Sequence, residues 1–226
     1  MKLNVLYLGK CDYKDALDIQ YKLLEKVQNE ELDDTLILVE HPPVITLGRN
    51  ATESNVLFTD EELKNKGIGL YNINRGGDVT YHGPGQLVGY PIFNLKKNHG
   101  RSIKLFIENL ENIFIKFIKD AYEVEVGRHV CNAGVWYGEE KVVALGLAVK
   151  RGVTMHGFAF NLNTVLEHFK YIVPCGLSEM GVTSIEKIKG TSIDFDNAVF
   201  SIVDYFKNVY SFDEVEFIDD DFLKRM

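Results

Sequence analysis

Cysteine, proline and tryptophan are scarce in this chain, at 3, 5 and 1 of 226 residues. Cys11, Cys131 and Cys175 are too few and too scattered for the disulfide framework of a small secreted domain, so a reduced, cytoplasmic protein is expected. Long apolar runs are missing too. The stretch from Ile103 to Ala121 carries Lys104, Glu108, Glu111, Lys116 and Lys119, and nothing approaches the roughly 20 apolar residues of a membrane span. The first ten residues have no signal-peptide anatomy. Basic residues are in deficit, with 25 Lys and Arg against 33 Asp and Glu and a net charge of −8. That balance argues against a nucleic-acid partner, which is held by Lys and Arg on phosphates, but it leaves room for a local basic patch.

Several motifs are absent as well. Gly83, Gly85 and Gly89 miss the dinucleotide fingerprint by one residue, and no P-loop pattern occurs, so a nucleotide site of either kind is unsupported. His129 and Cys131 have no second pair with which to hold zinc, and no metal is expected. Gly176 to Met180 is a near miss for the serine-hydrolase elbow, because Met180 stands where its second glycine belongs.

What is present reads as one α+β domain over residues 1–226, a mixed sheet with helices packed against it. Leu3–Leu8, Thr35–Val39, Val44–Leu47 and Ile68–Ile73 have strand patterns, and His41-Pro42-Pro43 interrupts the second and third. Asp12 and Asp15 open a helix with Ala16, Ile19, Leu23 and Val27 on its apolar face. Ser102 opens a second, long one, and a third covers about Asp196–Val209. Short strands follow at Val124–Val126, Gly134–Tyr137, Lys141–Val149 and Met155–Leu162. The end of the chain, 211–226, reads as a solvated acidic tail.

The segment from Arg75 to Tyr90 dominates the functional reading. Gly76-Gly77 and Gly83-Pro84-Gly85 force turns and let backbone approach a ligand, while Arg75, Thr80, Tyr81, His82 and Gln86 offer polar contacts. Two plain turns around a strand would rarely need those side chains together, so a ligand loop is favoured. Cys175, in Pro174-Cys175-Gly176, stands on a turn that would expose its sulfur. A thiol of ordinary pKa needs a base or a cation to act as a nucleophile, and His82, His156, His168 and Lys141 are all candidates.

Taken together these residues resemble the lipoyl(octanoyl) transferases of the biotin/lipoate ligase superfamily. The resemblance rests on Arg75 to Gln86, Glu40 to Arg49, Lys141 to Leu147, His156 to Asn161, and Pro174-Cys175-Gly176 followed by Val182-Thr183-Ser184. These motifs run in order from about Tyr13 to Glu186. It implies a biotin/lipoate-ligase-like fold and a two-step acyl transfer. The cysteine matching Cys175 would take the octanoyl group from octanoyl-acyl-carrier protein. It would then pass the group to a lysine of an apo lipoyl domain, as in 2-oxoacid dehydrogenase E2 subunits and the glycine cleavage H protein. The lysine matching Lys141 would lower the thiol pKa. The acyl-binding set would be Arg75, Gly76, Gly77, Asp78, Val79, Thr80, Tyr81 and His82, with Ala144, Leu145, Gly146, Gly157, Phe158 and Ala159.

A thioester carries its own activation, so neither ATP nor metal is implied, and a monomer is the default. For carrier docking, a basic patch is expected from Lys96, Lys97, Arg101, Lys104, Lys150 and Arg151. The competing readings are an ATP-dependent lipoate or biotin ligase, a non-catalytic carrier-binding module and a Cys–His hydrolase.

Overall fold

The computed structural model describes residues 1–97, 102–130, 132–173, 181–219 and 222. In chain order the elements are β1 (Lys2–Lys10), α1 (Tyr13–Gln28), β2 (Thr35–Glu40), β3 (Val44–Leu47), α2 (Asp60–Asn65), β4 (Gly69–Asn72), β5 (Val79–His82) and β6 (Gln86–Ile92). Then come α3 (Ile103–Tyr122), β7 (Gly134–Tyr137), β8 (Glu140–Lys150), β9 (Val153–Asn161), β10 (Gly181–Val182), α4 (Ile185–Lys189), α5 (Phe195–Val209) and β11 (Glu214–Ile218). A large mixed sheet runs β10-β8-β9-β6-β2-β1-β11, with β7 also paired to β8, and a small sheet runs β4-β3-β5.

The large sheet is buried on both faces, which explains the unbroken apolar run of β2. Leu36 and Leu38 face a core shared with α3 and α5, and Ile37 and Val39 face a second core under α1. On α3, Phe106, Leu110, Ile113, Phe114, Phe117 and Ile118 make the buried stripe, and the Ser102 hydroxyl caps the helix by accepting from the Leu105 N–H at 3.3 Å. Ile103, the first residue of the helix, is exposed.

Three expectations change. His41-Pro42-Pro43 does more than interrupt a strand: it carries the chain out of the large sheet at β2 and into the small one at β3. Val124–Val126 forms no strand, and among the described residues the pairing beside it is the bridge of Gly127 with Trp136. At the C-terminal end, Glu214–Ile218 is a strand paired parallel with β1, with Glu214 and Glu216 exposed and Phe212 and Ile218 buried. The acidic residues there concealed an alternation with apolar ones. Residues 220–221 and 223–226 of that tail lie outside the described residues.

Pro91 sits in β6, a central strand, where it cannot donate to the ladder. Opposite this stretch of β6, His156 of β9 turns into the left-handed region at φ +56°. Its N–H leaves the ladder and donates instead to Gln20 Oε1 of α1 at 3.0 Å. Gly89 is held by a different constraint. A methyl group there would lie 2.0 Å from the Phe158 ring, which is itself boxed in by Phe114 and Phe206. Gly89→Ala is therefore expected to lower stability by about 1–3 kcal/mol. An unchanged urea midpoint would show that the ring has room to move.

Candidate functional site

The small sheet leans over the α1 face of the large one. Gly76 N–H donates to Leu147 O of β8 at 2.9 Å, and Gly146 leaves room for Arg75, whose Cδ would lie 3.1 Å from a methyl group placed there. Between the sheets lies a cavity of about 90 Å³, several times the ~10–15 Å³ that one water needs. Its floor is small-residue β8 and β9, where Ala144 pairs with Ala159 and Gly146 with Gly157.

Of the expected acyl-binding set, Arg75, Gly77, Asp78, Val79, Thr80, His82, Ala144, Leu145, Gly146, Gly157, Phe158 and Ala159 line this cavity, together with Lys141. Gly76 and Tyr81 do not. The alternation of β5 turns Thr80 and His82 to the cavity and Tyr81 away from it. The Tyr81 hydroxyl instead meets His168 Nδ1 at 2.7 Å inside the core of the small sheet. That pairing also occupies His168, one of the candidate bases, away from the cavity.

Arg75 is a buried guanidinium anchored on β3 of the small sheet. Its Nη2 donates to Thr46 O at 2.8 Å and Thr46 Oγ1 at 3.0 Å, and its Nη1 donates to Gly76 O at 3.0 Å. Asp78 accepts from Asn55 Nδ2 at 2.6 Å. His82 belongs to a fixed polar chain. Asn161 Nδ2 donates to Thr183 O at 3.0 Å, and Gln86 Nε2 donates to Asn161 Oδ1 at 2.9 Å and to Tyr81 O at 3.2 Å. Backbone carbonyls only accept, so both amides have one orientation, and Gln86 Oε1 must accept from His82 Nδ1 at 2.8 Å. His82 is thereby held as the Nδ1–H tautomer, with Nε2 bearing the lone pair.

His41 is fixed by the same logic. Its Nδ1 donates to Cys11 O at 2.7 Å, and Nε2 accepts from the Tyr90 hydroxyl at 2.7 Å. Burial is the main cause that lowers the pKa of His41 to about 4 and that of His82 and His156 to about 3. All three rings are neutral near pH 7.

Lys141 opens the apolar part of β8, and its side chain folds back along the strand. A methyl group on Gly134 would lie 3.5 Å from Lys141 Cε, and Gly134 is the register partner of Ala144. Its ammonium also lies 4.6 Å from the centroid of the Trp136 ring. Cys175, Cys131 and Arg101 lie outside the described residues, as does the near-miss elbow at 176–180. The residues on either side of 174–180 are placed: Val173 N–H donates to Asn55 O at 2.8 Å, and Val182 pairs with Lys141.

Four cavity residues had little signal in the sequence. Tyr13 and Tyr90 come from α1 and β6 as buried aromatics with a polar tip, and Phe169 comes from a short 3-10 turn at Leu166–Tyr171. Asn132 lies in a loop with no motif. Behind the wall, Gln20 did leave a trace, since it stands on the apolar face of α1 with Ala16, Leu23 and Val27. Of the expected basic residues, Lys96 packs beside Gly152 in the turn between β8 and β9, where Lys150 ends β8 and Arg151 follows it. Lys97 pairs with Glu30 and Lys104 with Glu108, both at 3.9 Å. That patch sits at the opposite end of β8 from Lys141, nine residues or roughly 30 Å along the strand.

A solved lipoate-protein ligase A bound with ATP superposes with a TM-score of 0.75 at 14% identity, covering 97% of this chain and 89% of that one. Residues 12–207 match the family model for the lipoyl protein ligase A/B catalytic domain. An octanoyltransferase of Alkaliphilus metalliredigens is 52% identical over 97% of this chain and 100% of its own length. One from Caldicellulosiruptor saccharolyticus is 51% identical over 93% of this chain and 89% of its own. The chain belongs to the lipoyl protein ligase A/B catalytic domain family and, within it, to the octanoyltransferases, and it is an acyltransferase. Among the described residues, no helix is long and apolar enough to cross a membrane.

Proposed function

We propose that this enzyme moves an octanoyl group from octanoyl-acyl-carrier protein to the lysine ε-amine of an apo lipoyl domain, through a thioester on Cys175. It would act as a single cytoplasmic catalytic unit spanning residues 1–226. The observation that carries the reading is the slot itself: small, apolar β8 and β9 residues form its floor, and Lys141 is part of its lining. Acceptors of this chemistry are the lipoyl domains of 2-oxoacid dehydrogenase E2 subunits and of the glycine cleavage H protein.

In the first step the Cys175 thiolate attacks the carrier thioester carbonyl, the new C–S bond forms, and the carrier thiolate leaves and takes up a proton. In the second, the neutral acceptor amine attacks the acyl-enzyme carbonyl. The Cys175 thiolate departs and the amine loses a proton, giving the amide. An ammonium at Lys141 favours the thiolate in both steps. The donor thioester supplies the driving force, so this reading requires neither ATP nor a metal. His82, held as a neutral Nδ1–H tautomer, offers a lone pair to the cavity and no positive charge.

Intact-mass spectrometry tests the reading. Wild type mixed with octanoyl-carrier protein, without ATP, is expected to gain one octanoyl group, Cys175→Ala none, and an apo lipoyl domain should discharge the adduct. Acceptor modification that requires ATP and free octanoate would make the enzyme a ligase instead.

A further inference from the structure

We infer that the inner end of the acyl slot is a polar stop, with His156 as the group that senses where the acyl chain ends. The inference rests on the transferase reading and adds how the slot measures its substrate.

The register sets the distances. Lys141 Cε passes beside Gly134, the register partner of Ala144, and His156 pairs with Leu147, three residues or roughly 10 Å beyond Ala144 along β8. An extended chain gains ~3.5 Å for every three bonds, so the seven carbon–carbon bonds of an octanoyl tail span about 8 Å. Between the two levels the floor is Ala144 with Ala159 and Gly146 with Gly157, whose side chains offer no hydrogen bond, while Thr80 and His82 stand on the facing wall. A tail whose carbonyl lies at the Ala144 level thus crosses the apolar floor and ends against His156.

His156 differs from the other lining imidazole, His82, whose Nδ1 is held by Gln86. It is buried, lines the cavity and adopts φ +56°, a conformation that disfavours every residue except glycine and, less so, asparagine, aspartate and histidine. Neither of its ring nitrogens has a hydrogen-bond partner among the described residues. Its backbone N–H donates to Gln20 Oε1, and Gln20 Nε2 is likewise buried with no partner among the described residues. Native proteins rarely leave three such atoms at one place without a ligand or water that uses them. The ring is neutral and offers one donor and one acceptor. A methyl terminus pressed against it satisfies neither, whereas a hydroxyl at the tip of the tail can pair with one of them.

The test compares two chains of equal length and opposite polarity at the tip. Wild type is given carrier thioesters of octanoate, nonanoate and 8-hydroxyoctanoate, and kcat/KM for transfer to an apo lipoyl domain is measured. The hydroxylated chain is expected to exceed its nonanoyl isostere by about tenfold. His156→Leu should reverse that order. His156→Asn, which tolerates the left-handed backbone and keeps hydrogen-bonding groups, should preserve it. A nonanoyl chain that equals or beats the hydroxylated one in wild type would overturn the stop without any variant. A preference for the hydroxylated chain that survives His156→Leu would overturn the assignment to His156. If wild type does not transfer octanoate at all, the transferase reading itself fails.

Discussion

Lys141→Met is expected to lower the rate of acyl transfer by about 10³-fold while leaving the fold intact. The side chain keeps its length and its packing, so the slot wall at Gly134 and Trp136 stays filled, and only the ammonium is removed. A thiol near pKa 8.5 holds a few per cent of its population as thiolate at pH 7, and a neighbouring cation raises that share. The loss should appear in acylation and deacylation alike, because the thiolate is nucleophile in one and leaving group in the other. Single-turnover mass spectrometry with octanoyl-carrier protein separates the two. Raising the pH should recover part of the acylation rate in the variant as the unaided thiol ionises. A variant whose rate falls less than threefold, or does not respond to pH, would remove Lys141 from the chemistry.

This expectation depends on a geometry only partly legible in the sequence. Lys141 at the head of an apolar strand looks like an edge residue that points to solvent. The sequence alone could not show that β7 crosses beside it, or that the glycine at 134 lets its side chain lie along the sheet. The large elements were legible because each keeps one period: the Ser102-capped helix, the both-sides-buried β2, and the small residues of β8 and β9. The division into two sheets was not, since Pro42-Pro43 breaks a strand in the same way whether the chain resumes in the same sheet or in another. Within the Arg75–Gln86 motif, Arg75, Thr80 and His82 came together at the cavity, but Tyr81 is turned away by simple alternation. In the sequence His156 reads as a possible base and as the first residue of the His156–Asn161 motif. Its left-handed backbone, set opposite Pro91, becomes visible once β6 and β9 lie side by side.

Those buried imidazoles make acid the second large effect. His41, His82 and His156 are half of the six histidines in the chain, and burial holds their pKa at about 4, 3 and 3 in the fold. In the unfolded chain each would titrate near the ordinary value of about 6.5. Above pH 6.5 neither state binds these protons and nothing is lost. As pH falls below 6.5 the unfolded chain takes up protons that the folded chain refuses. Stability then drops by about 1.4 kcal/mol per pH unit for each ring until the folded pKa is reached.

At pH 5 the loss is about 2 kcal/mol per histidine and up to about 6 for the three together, against a total stability of roughly 5–15 kcal/mol. Paired carboxylates act in the same direction but mainly below pH 4.5, so the interval from 6.5 to 5 isolates the histidines. Arg75, whose charge disfavours protonation of both His82 and His156, keeps the effect in place as the first ring begins to charge. Urea unfolding at pH 7.5, 6.0 and 5.0 should show a midpoint that falls steeply over the last two values. His41→Gln, which keeps a hydrogen-bonding side chain opposite Tyr90, should flatten that slope by about a third. Equal stability at pH 7.5 and 5.0 would mean that the rings find protons, and partners for them, inside the folded protein.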